Sequence, residues 1–297
     1  METCAESFAV ADWAMEFGHE VRIVPGTLVR QLGVGARKTK TDRRDARVLS
    51  EVSCRIDLPT VHIPSRQSRE TKSIMGMRDG LVQSRTMLVN SVRGWMRGKI
   101  LRPRGGSLST FGRRIRATIA EAREELPQHV ERQLGTIDQL SMAIGEANKE
   151  IAKLAKANPV CRRLLTAPGV GVLVAARFVA TLDQIERFES AHQVQSYLGL
   201  APGENSSSER KRITTITKAG SPEMRWLLIQ GAWAALRSRP NDPASQWARQ
   251  IRLRRGPFIA VVALARKMAG VLYAMWRDGT EYAPDRASDA SKIMMAA

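Results

Sequence analysis

Two aspartates three residues apart, Asp42 and Asp45, have the residue type and the spacing to bind a divalent metal ion. Apolar residues at Ala46, Val48 and Leu49 predict a helix that begins near Asp42, and residues i and i+3 lie on one helix face. Two carboxylates on one face, surrounded by cations, can share a metal through hard oxygen ligands. Acidic residues in a first turn also suit the helix dipole. The spacing alone leaves both interpretations open.

A tight turn at Pro168–Gly171 (PGVG) is a candidate for binding a phosphate. It lies between apolar helical segments at Arg162–Thr166 and Val172–Thr181. Gly169 and Gly171 allow the backbone to turn sharply and to approach a partner closely. The helix that follows presents free N–H groups and the positive end of its dipole. The alternative is a plain connection between two helices, and PGVG alone is weak evidence against it.

A serine-rich, basic loop follows the helix stop GLAP, Gly199–Pro202. It places the hydroxyls of Ser206, Ser207 and Ser208 beside fixed cations. Those cations are Arg210, Lys211 and Arg212, and the later TKAG segment adds Lys218. A solvated loop is the alternative interpretation. The order PGVG, GLAP, SSS and TKAG is stronger evidence for function than any one of these motifs.

The bulk composition favours a nucleic-acid partner. The chain has 297 residues, a net charge of +18 and a pI of about 10.8, so it fits phosphate neutralisation and salt-sensitive binding. Aromatic residues make up 5%, too few for base stacking to be the main mode of binding. The three cysteines are too scattered for a disulfide framework. With no long apolar run and no leader pattern, we expect a cytoplasmic protein with no membrane partner.

Two long helices, about Gln67–Lys99 and Pro127–Ala157, are predicted to form an antiparallel hairpin with a short basic tip, which could act as a dimerisation arm. No acidic residue occurs from position 80 to 120. Natural surfaces usually mix charges of both signs, so this stretch is the strongest electrostatic indication of nucleic-acid binding. Its arginines are Arg85, Arg93, Arg97, Arg102, Arg104, Arg113, Arg114 and Arg116.

The fold class predicted from these patterns is mixed but mostly α-helical. Ahead of the arm, the pattern indicates a helix at Phe8–Phe17, a strand at His19–Val24 and an extended segment at Leu58–Pro64. After the serine loop come helices at Pro222–Arg237 and from Pro257 to about Trp276. The predicted organisation is an N-terminal domain at 1–62, the arm at 63–158, a C-terminal domain at 159–280 and a disordered tail at 281–297.

The ordered motifs resemble those of transposases of the insertion-sequence one-ten family, also described as RNA-guided (bridge RNA) recombinases. The resemblance covers nearly the whole chain. It is most specific at Lys40–Ala46 (KTDRRDA), Arg187-Phe188, Tyr197–Pro202 (YLGLAP), Ser206-Ser207 and Thr217–Gly220. It implies a partial RNase H-like α/β N-terminal domain, a helical hairpin arm, and an all-α C-terminal transposase domain with a helix-hairpin-helix.

The resemblance also implies a site. Glu2, Asp42 and Asp45 match metal-binding carboxylates, with Mg²⁺ as the expected ion, and Ser207 matches a nucleophilic serine, with Ser206 as the neighbouring alternative. The implied partners are DNA, a guide RNA and further copies of the chain in a dimer or tetramer. The residues expected to contact nucleic acid are Gly169, Gly171, Arg93, Arg97, Arg102, Arg104, Arg113, Arg114, Arg210, Lys211, Arg212 and Lys218.

The sequence departs from the family pattern in two places. The family has an aspartate on a strand ahead of the glutamate matched by Glu2, and this sequence contains neither that strand nor that aspartate. It also has Ser208 where glycine often follows the paired serines. We therefore expect an incomplete gene or a misplaced start. The alternative function is a catalytically inactive remnant that still binds nucleic acid.

Overall fold

The computed structural model of the chain describes residues 1–31, 42–53, 58–204 and 213–284. Most of them are helical, which confirms the prediction of a mostly α protein. The chain divides into two compact units, Met1–Arg66 and Gln67–Ala297. The predicted domain boundaries at 62 and 158 stay predictions.

The described residues of the first unit form three helices and three short extended segments. The helices are α1 (Ser7–Glu16), α2 (Gly26–Gln31) and α3 (Asp42–Ser53). A parallel bridge joins Glu2 to Val24, and an antiparallel bridge joins Ile23 to Val61. Among the described residues, the predicted strand at His19–Val24 therefore forms bridges only at its last two residues, Ile23 and Val24. Ile23 and Val24 are buried, because this central segment has a partner on each side.

The arm consists of the 33-residue helix α4 (Arg66–Gly98) and the helix α6 (Gln128–Ala157). Arg78 Nε of α4 donates to Asn148 Oδ1 of α6 at 3.0 Å, and Arg85 donates to the Ser141 hydroxyl at 3.4 Å. Residue numbers rise along one helix as they fall along the other, so the two helices are antiparallel. The predicted bounds of both helices are confirmed to within about one residue.

The predicted short tip of the arm is wrong. The connection contains a 3₁₀ turn (Leu108–Thr110) and an additional helix, α5 (Phe111–Glu121). Phe111, Ile115 and Ile119 recur at helical spacing and are buried in an apolar cluster with residues of α4 and α6. The tip is therefore a small three-helix core rather than a loop.

The C-terminal part of the second unit has one dominant apolar core. Its elements are α7 (Pro159–Leu164), α8 (Val172–Leu182), a 3₁₀ turn (Ile185–Arg187), α9 (Ala191–Tyr197), β1 (Pro202–Glu204), β2 (Ile213–Ile216), α10 (Pro222–Ser238), α11 (Pro243–Arg255) and α12 (Pro257–Arg277). The two strands pair antiparallel, so the expectation of an all-α domain is wrong. The β-branched run from 213 to 216 favours this extended pairing.

Helix α12 is the centre of that core. Among the described residues it is the one helix long and apolar enough to cross a membrane, and more than half of its apolar stretch is buried within the protein. A buried core helix meets the same criteria, so the helix is weak evidence for a membrane span.

The predicted disordered tail at 281–297 is wrong for its first four residues. The Tyr282 hydroxyl donates to Asp242 Oδ2 at 2.7 Å, and its backbone N–H donates to Thr166 Oγ1 at 3.0 Å. Residues 281–284 are therefore part of the described structure. The remainder, 285–297, lies outside the described residues.

An ion pair joins the arm to the C-terminal helices. The Arg177 guanidinium on α8 donates to Asp79 Oδ2 on α4 at 2.5 Å, and Arg78 binds the other carboxylate oxygen at 3.0 Å. The Arg177 side chain is only 8% exposed, so little water reaches it. Loss of Asp79 would leave a buried guanidinium without its carboxylate.

We expect Asp79→Ala to lower the free energy of unfolding by about 2–3 kcal/mol, below the usual cost of breaking a buried pair because Asp79 is partly exposed. The double variant Asp79→Leu, Arg177→Met removes both charges and is expected to recover most of that loss. Urea unfolding measures both. If the double variant had the same free energy of unfolding as Asp79→Ala, the loss of stability could not be attributed to the unpaired charge of Arg177.

Candidate functional site

The predicted nucleophile loop is described only at its two ends. Ser206, Ser207, Arg210, Lys211 and Arg212 lie outside the described residues. What the structure describes is the hairpin that carries them, with β1 ending at Glu204 and β2 beginning at Ile213. The candidate site is therefore built from the base of this hairpin.

Backbone hydrogen bonds join the GLAP and TKAG segments at that base. The Thr217 N–H donates to the Ala201 carbonyl at 2.9 Å, and the Lys218 N–H donates to the Gly199 carbonyl at 3.1 Å. Both segments continue the pairing of β1 and β2 toward the helices. The two sequence motifs that flank the serine segment are thus hydrogen-bonded to each other through their backbones.

Two glycines make this close approach possible. Gly199 and Gly220 have φ angles of +68° and +77°, in the left-handed region that favours glycine. A Cβ on Gly199 would lie 2.1 Å from the Ala219 oxygen, and one on Gly220 would lie 2.0 Å from the Tyr197 oxygen. Any side chain there would overlap the opposite backbone. The glycines of GLAP and TKAG are therefore required by packing.

Arg225 on α10 fastens both segments to the helical core. Its guanidinium donates to the carbonyls of Ala219 and Gly220 at 2.9 Å each and to that of Leu198 at 3.3 Å. Bonds from a charged donor are stronger than neutral ones. Helix α10 begins beside this contact, where the Ser221 hydroxyl accepts from the Met224 N–H at 3.2 Å. The described segments on either side of residues 205–212 are thus hydrogen-bonded to α10.

Lys218 is placed at the same base. It is exposed and has a φ of +57°, which turns the chain between β2 and Gly220. Its ammonium has no hydrogen bond or ion pair among the described residues, so it is open to an anionic partner. The predicted role of Lys218 toward nucleic acid stays a prediction.

The PGVG turn joins α7 and α8, and one of its glycines has a packing role. Gly169 has a φ of +75°, and a Cβ there would lie 2.0 Å from the Gly231 oxygen of α10. Gly169 therefore faces a neighbouring helix at close range. Gly171 caps α8, is exposed, and has nothing within 4 Å of an added Cβ. Of the two, Gly171 is the one with open space for a ligand.

The predicted carboxylates lie in the first unit. Glu2 pairs with Val24, and its Oε1 would be 2.8 Å from a Cβ on Gly26, so a glycine there leaves room for the carboxylate. Asp42 and Asp45 are the first and fourth residues of α3, and their side chains lie outside the described part of the structure. Among the side chains that are described, no three His, Cys, Asp or Glu groups could hold a metal together.

Some of the predicted arm arginines serve the structure of the tip. The guanidiniums of Arg93 and Arg114 lie 5.7 and 5.9 Å from the centre of the Phe111 ring. Arg114 also donates to the Ser107 carbonyl at 2.8 Å and to the Arg104 carbonyl. These contacts fold the segment after α4 onto α5. Arg93 and Arg114 are therefore partly used within the protein.

Acidic residues beyond position 120 neutralise another part of the basic stretch. Arg104 lies 3.6 Å from Glu121, and Arg116 binds Glu131 at 2.7 Å. The hydrogen bond to Glu131 raises the pKa of Arg116. By contrast, Arg97, Arg102 and Arg113 are exposed and have no hydrogen bond or ion pair within the described residues. These three belong to the exposed cationic surface of the tip, and we call them the tip triad.

Comparison with known proteins gives two matches to family models. One, described as "Transposase IS116/IS110/IS902 family", matches residues 161–247, and a second, a DEDD-type IS110 transposase model, matches residues 5–100. The transposase for insertion sequence element IS1111A of Coxiella burnetii is 32% identical over 245 residues, covering 80% of this chain and 67% of that protein. This chain belongs to the IS110 family of transposases.

Another relative of this IS110-family chain is a probable family 20 transposase of Pseudomonas aeruginosa. It is 29% identical over 293 residues, covering 96% of this chain and 85% of that protein. The first family match includes PGVG, the serine loop and TKAG. The second includes Asp42 and Asp45 and begins after Glu2. The role of Glu2 therefore rests on its position in the pattern and stays a prediction.

Sequence reasoning missed Arg225 in this transposase. Its three carbonyl partners come from two segments that are distant in sequence, so no local spacing marks it. The signal that could have found it is an arginine in the first turn of the helix directly after TKAG, where a cation usually opposes the helix dipole. Such a residue needs an acceptor nearby, and exposed carbonyls supply one.

Proposed function

We propose that this IS110-family transposase cuts and rejoins DNA through a covalent bond between Ser207 and a DNA phosphate. The observation that carries the proposal is the locked base of the β1–β2 hairpin, where GLAP, TKAG and Arg225 meet. A nucleophile on a long loop needs fixed attachment points at the ends of that loop, because small errors in the position of the nucleophile lower the rate of catalysis. The hairpin base supplies those attachment points on both sides of segment 205–212.

The proposed reaction is two exchanges at phosphorus. The serine Oγ forms a bond to the phosphorus as one deoxyribose oxygen leaves; the hydroxyl proton is given up and the leaving oxygen gains one. The phosphodiester to serine keeps the bond energy. A DNA hydroxyl then attacks the same phosphorus, and the serine leaves with a proton. Arg210, Lys211, Arg212 and Lys218 neutralise the non-bridging oxygens. Ser206 is the alternative nucleophile.

We propose that Glu2, Asp42 and Asp45 hold a divalent ion, with Mg²⁺ the expected one. Three carboxylates are the hard oxygen donors that Mg²⁺ prefers, and Gly26 leaves space beside the Glu2 carboxylate. When bound, such an ion stabilises negative charge developing on the phosphate and activates an attacking hydroxyl. The residues themselves contribute negative charge and fix the ion's position.

The proposed partners are DNA, a guide RNA and further copies of the chain, as a dimer or tetramer in the bacterial cytoplasm. The tip triad supports the nucleic-acid part, because its three exposed cations lie on a rigid helical tip. Contacts of this kind position a phosphate backbone without reading its sequence. The long helices of the arm offer the surface for association between chains.

The experiment that tests the proposal uses the wild-type chain with donor DNA, target DNA, guide RNA and Mg²⁺. Sequencing of new junctions measures rejoining. We expect joined strands that appear with Mg²⁺ and disappear when EDTA is added. Binding of both DNAs without any joined product would contradict the proposal and would favour the alternative function of a non-catalytic nucleic-acid-binding protein.

The tip triad gives a separate prediction. Replacing Arg97, Arg102 and Arg113 by glutamine should make the slope of log affinity against log salt shallower by about 2–3, since each lost phosphate contact contributes about 0.7–0.9. Fluorescence anisotropy with labelled nucleic acid measures the slope. The matched control replaces Lys153, Arg237 and Arg239, which are also exposed. An equal change in the control would contradict a localised binding surface at the tip.

A further inference from the structure

A groove of about 1340 Å³ runs between α12 and the β1–β2 hairpin. Arg255, Phe258 and Ile259 line it near the start of α12, and Pro202 and Thr215 line it from the two strands. The strands lead into segment 205–212. A ligand in the groove therefore contacts the same hairpin that carries Ser207. We call this site the α12 groove.

The apolar wall of the α12 groove is left open to solvent at Phe258. This side chain is 78% exposed, and the adjacent Ile259 is 50% exposed. Together with the groove, these two side chains make a contiguous exposed apolar patch, which is typical of a binding surface. The flat face of the ring matches the face of a nucleic-acid base, whose stacking on aromatic side chains is independent of sequence.

Two arginines, Arg255 and Arg266, line the same groove. Arg255 is exposed and has no hydrogen bond or ion pair within the described residues. Arg266 is held in place, because its Nε donates to Gln195 Oε1 at 2.8 Å and Gln195 Nε2 donates back to the Arg266 carbonyl at 3.2 Å. Gln195 is itself fully buried. The rest of the Arg266 guanidinium lines the groove, and burial lowers its pKa, so an anion would relieve the lost solvation.

The acidic residues of the groove lie toward its other end. Asp278 binds Arg277 at 2.7 Å, at the end of α12 about 30 Å from Phe258. Glu281 follows three residues later. Glu189 follows Phe188, whose carbonyl accepts from the Tyr273 hydroxyl in the second half of α12. The end that carries the phenylalanine is therefore the cationic one.

We propose that the α12 groove binds an unpaired stretch of nucleic acid, with Phe258 stacking on a base and Arg255 and Arg266 binding the adjacent phosphates. An unpaired strand is favoured over a duplex because bases within a duplex already stack on each other and hide their faces. The inference rests on the proposed function in that the bound strand would lie beside the hairpin of the nucleophile. Binding itself requires no chemistry.

The test measures binding of a labelled single-stranded oligonucleotide and of its duplex to the full chain by fluorescence anisotropy. Phe258→Ala is expected to weaken single-strand binding by about 5- to 150-fold, the range of one lost stacking contact, and to change duplex binding less than about two-fold. Phe258→Trp keeps an aromatic face and is expected to retain binding. Arg255→Gln should weaken single-strand binding and make its salt slope shallower by about 0.7.

Matched controls separate the groove from general effects. Phe17→Ala removes another exposed phenylalanine, and Arg252→Gln removes an exposed arginine of α11 that does not line the groove. Unchanged single-strand binding in Phe258→Ala and Arg255→Gln would overturn the inference. So would equal losses for single strand and duplex, or a change of oligomeric state in Phe258→Ala measured by light scattering, which would make the groove a contact between chains.

The two proposals can fail separately. Groove-dependent binding with no joined DNA product would overturn the proposed function and leave the groove as a single-strand site. If a Phe258→Ala chain formed joined products and also bound single strands normally, only the proposal that the α12 groove binds unpaired nucleic acid would be overturned. Photo-crosslinking of a halogenated oligonucleotide, followed by peptide mass mapping, adds a direct readout, and a crosslink confined to peptides outside the groove counts against it.

Discussion

Replacing Ser207 with alanine is expected to abolish covalent attachment of DNA to the protein and to leave DNA binding within about two-fold of wild type. The variant lacks the attacking oxygen, so no phosphoserine bond to DNA can form. Affinity comes chiefly from cations, and the tip triad, Arg210, Lys211, Arg212 and Lys218 all remain. A denaturing gel of labelled DNA incubated with the protein measures attachment, and anisotropy measures binding.

Ser206→Ala and Ser208→Ala are the matched controls, because each removes one hydroxyl from the same run. Both are expected to keep the covalent complex. Persistent attachment in Ser207→Ala would contradict the assignment of the nucleophile. Loss of attachment in Ser206→Ala with Ser207→Ala unaffected would move the role to the neighbouring serine and contradict the register proposed for the loop.

Gly199→Ala is expected to lower the free energy of unfolding of the C-terminal helices by about 4 kcal/mol or more. Two costs add. The residue has a φ of +68°, which alanine adopts only with strain, and its Cβ would lie 2.1 Å from the Ala219 oxygen and 2.7 Å from the Ala219 nitrogen. Relief of that overlap requires the GLAP and TKAG segments to separate.

Thermal or urea unfolding measures the effect, and Gly76→Ala is the control. Gly76 is an exposed residue within α4, and an added Cβ there meets nothing within 4 Å. Alanine in such a helical position is expected to raise stability by about 0.5–1 kcal/mol. A loss below about 1 kcal/mol in Gly199→Ala would show that the hairpin base is not locked as described.

The arm could be predicted from sequence because its signal is long and regular. Apolar residues recur at helical spacing through Ile74, Leu81, Leu88 and Val92, and many turns of agreement fix the element type. The same logic failed for α5. Its apolar residues are few and alternate with arginines, so the sequence pattern did not predict a helix. The burial of those apolar residues depends on packing against α4 and α6.

The glycines show where sequence reasoning about the site stops. The sequence selected PGVG, GLAP and TKAG as functional motifs, but it could not separate glycines needed for ligand approach from glycines needed for close packing. Gly169 approaches Gly231, and Gly199 approaches Ala219, both distant in sequence. Only the tertiary structure brings such pairs together. The same reason hid Arg225, whose function depends on carbonyls supplied by two separate segments.

Short extended segments were the least predictable elements. The alternating pattern at His19–Val24 predicted a strand, yet within the part of the chain that the structure describes only Ile23 and Val24 of this segment form bridges. β1 and β2 are three and four residues long and give no repeating pattern to detect. Their pairing is stabilised by the packed motifs at their base, which a local reading of hydrophobicity does not see.

Mass mapping of the covalent protein–DNA complex would show directly whether Ser207 is the nucleophile. The wild-type chain is incubated with its DNA and Mg²⁺, denatured, and digested with nuclease and protease, and fragment spectra locate the residue that carries the nucleotide. We expect a nucleotide phosphate on the Ser207 oxygen. A nucleotide on any other residue, or joined DNA products with no protein-linked nucleotide at any stage, would contradict it.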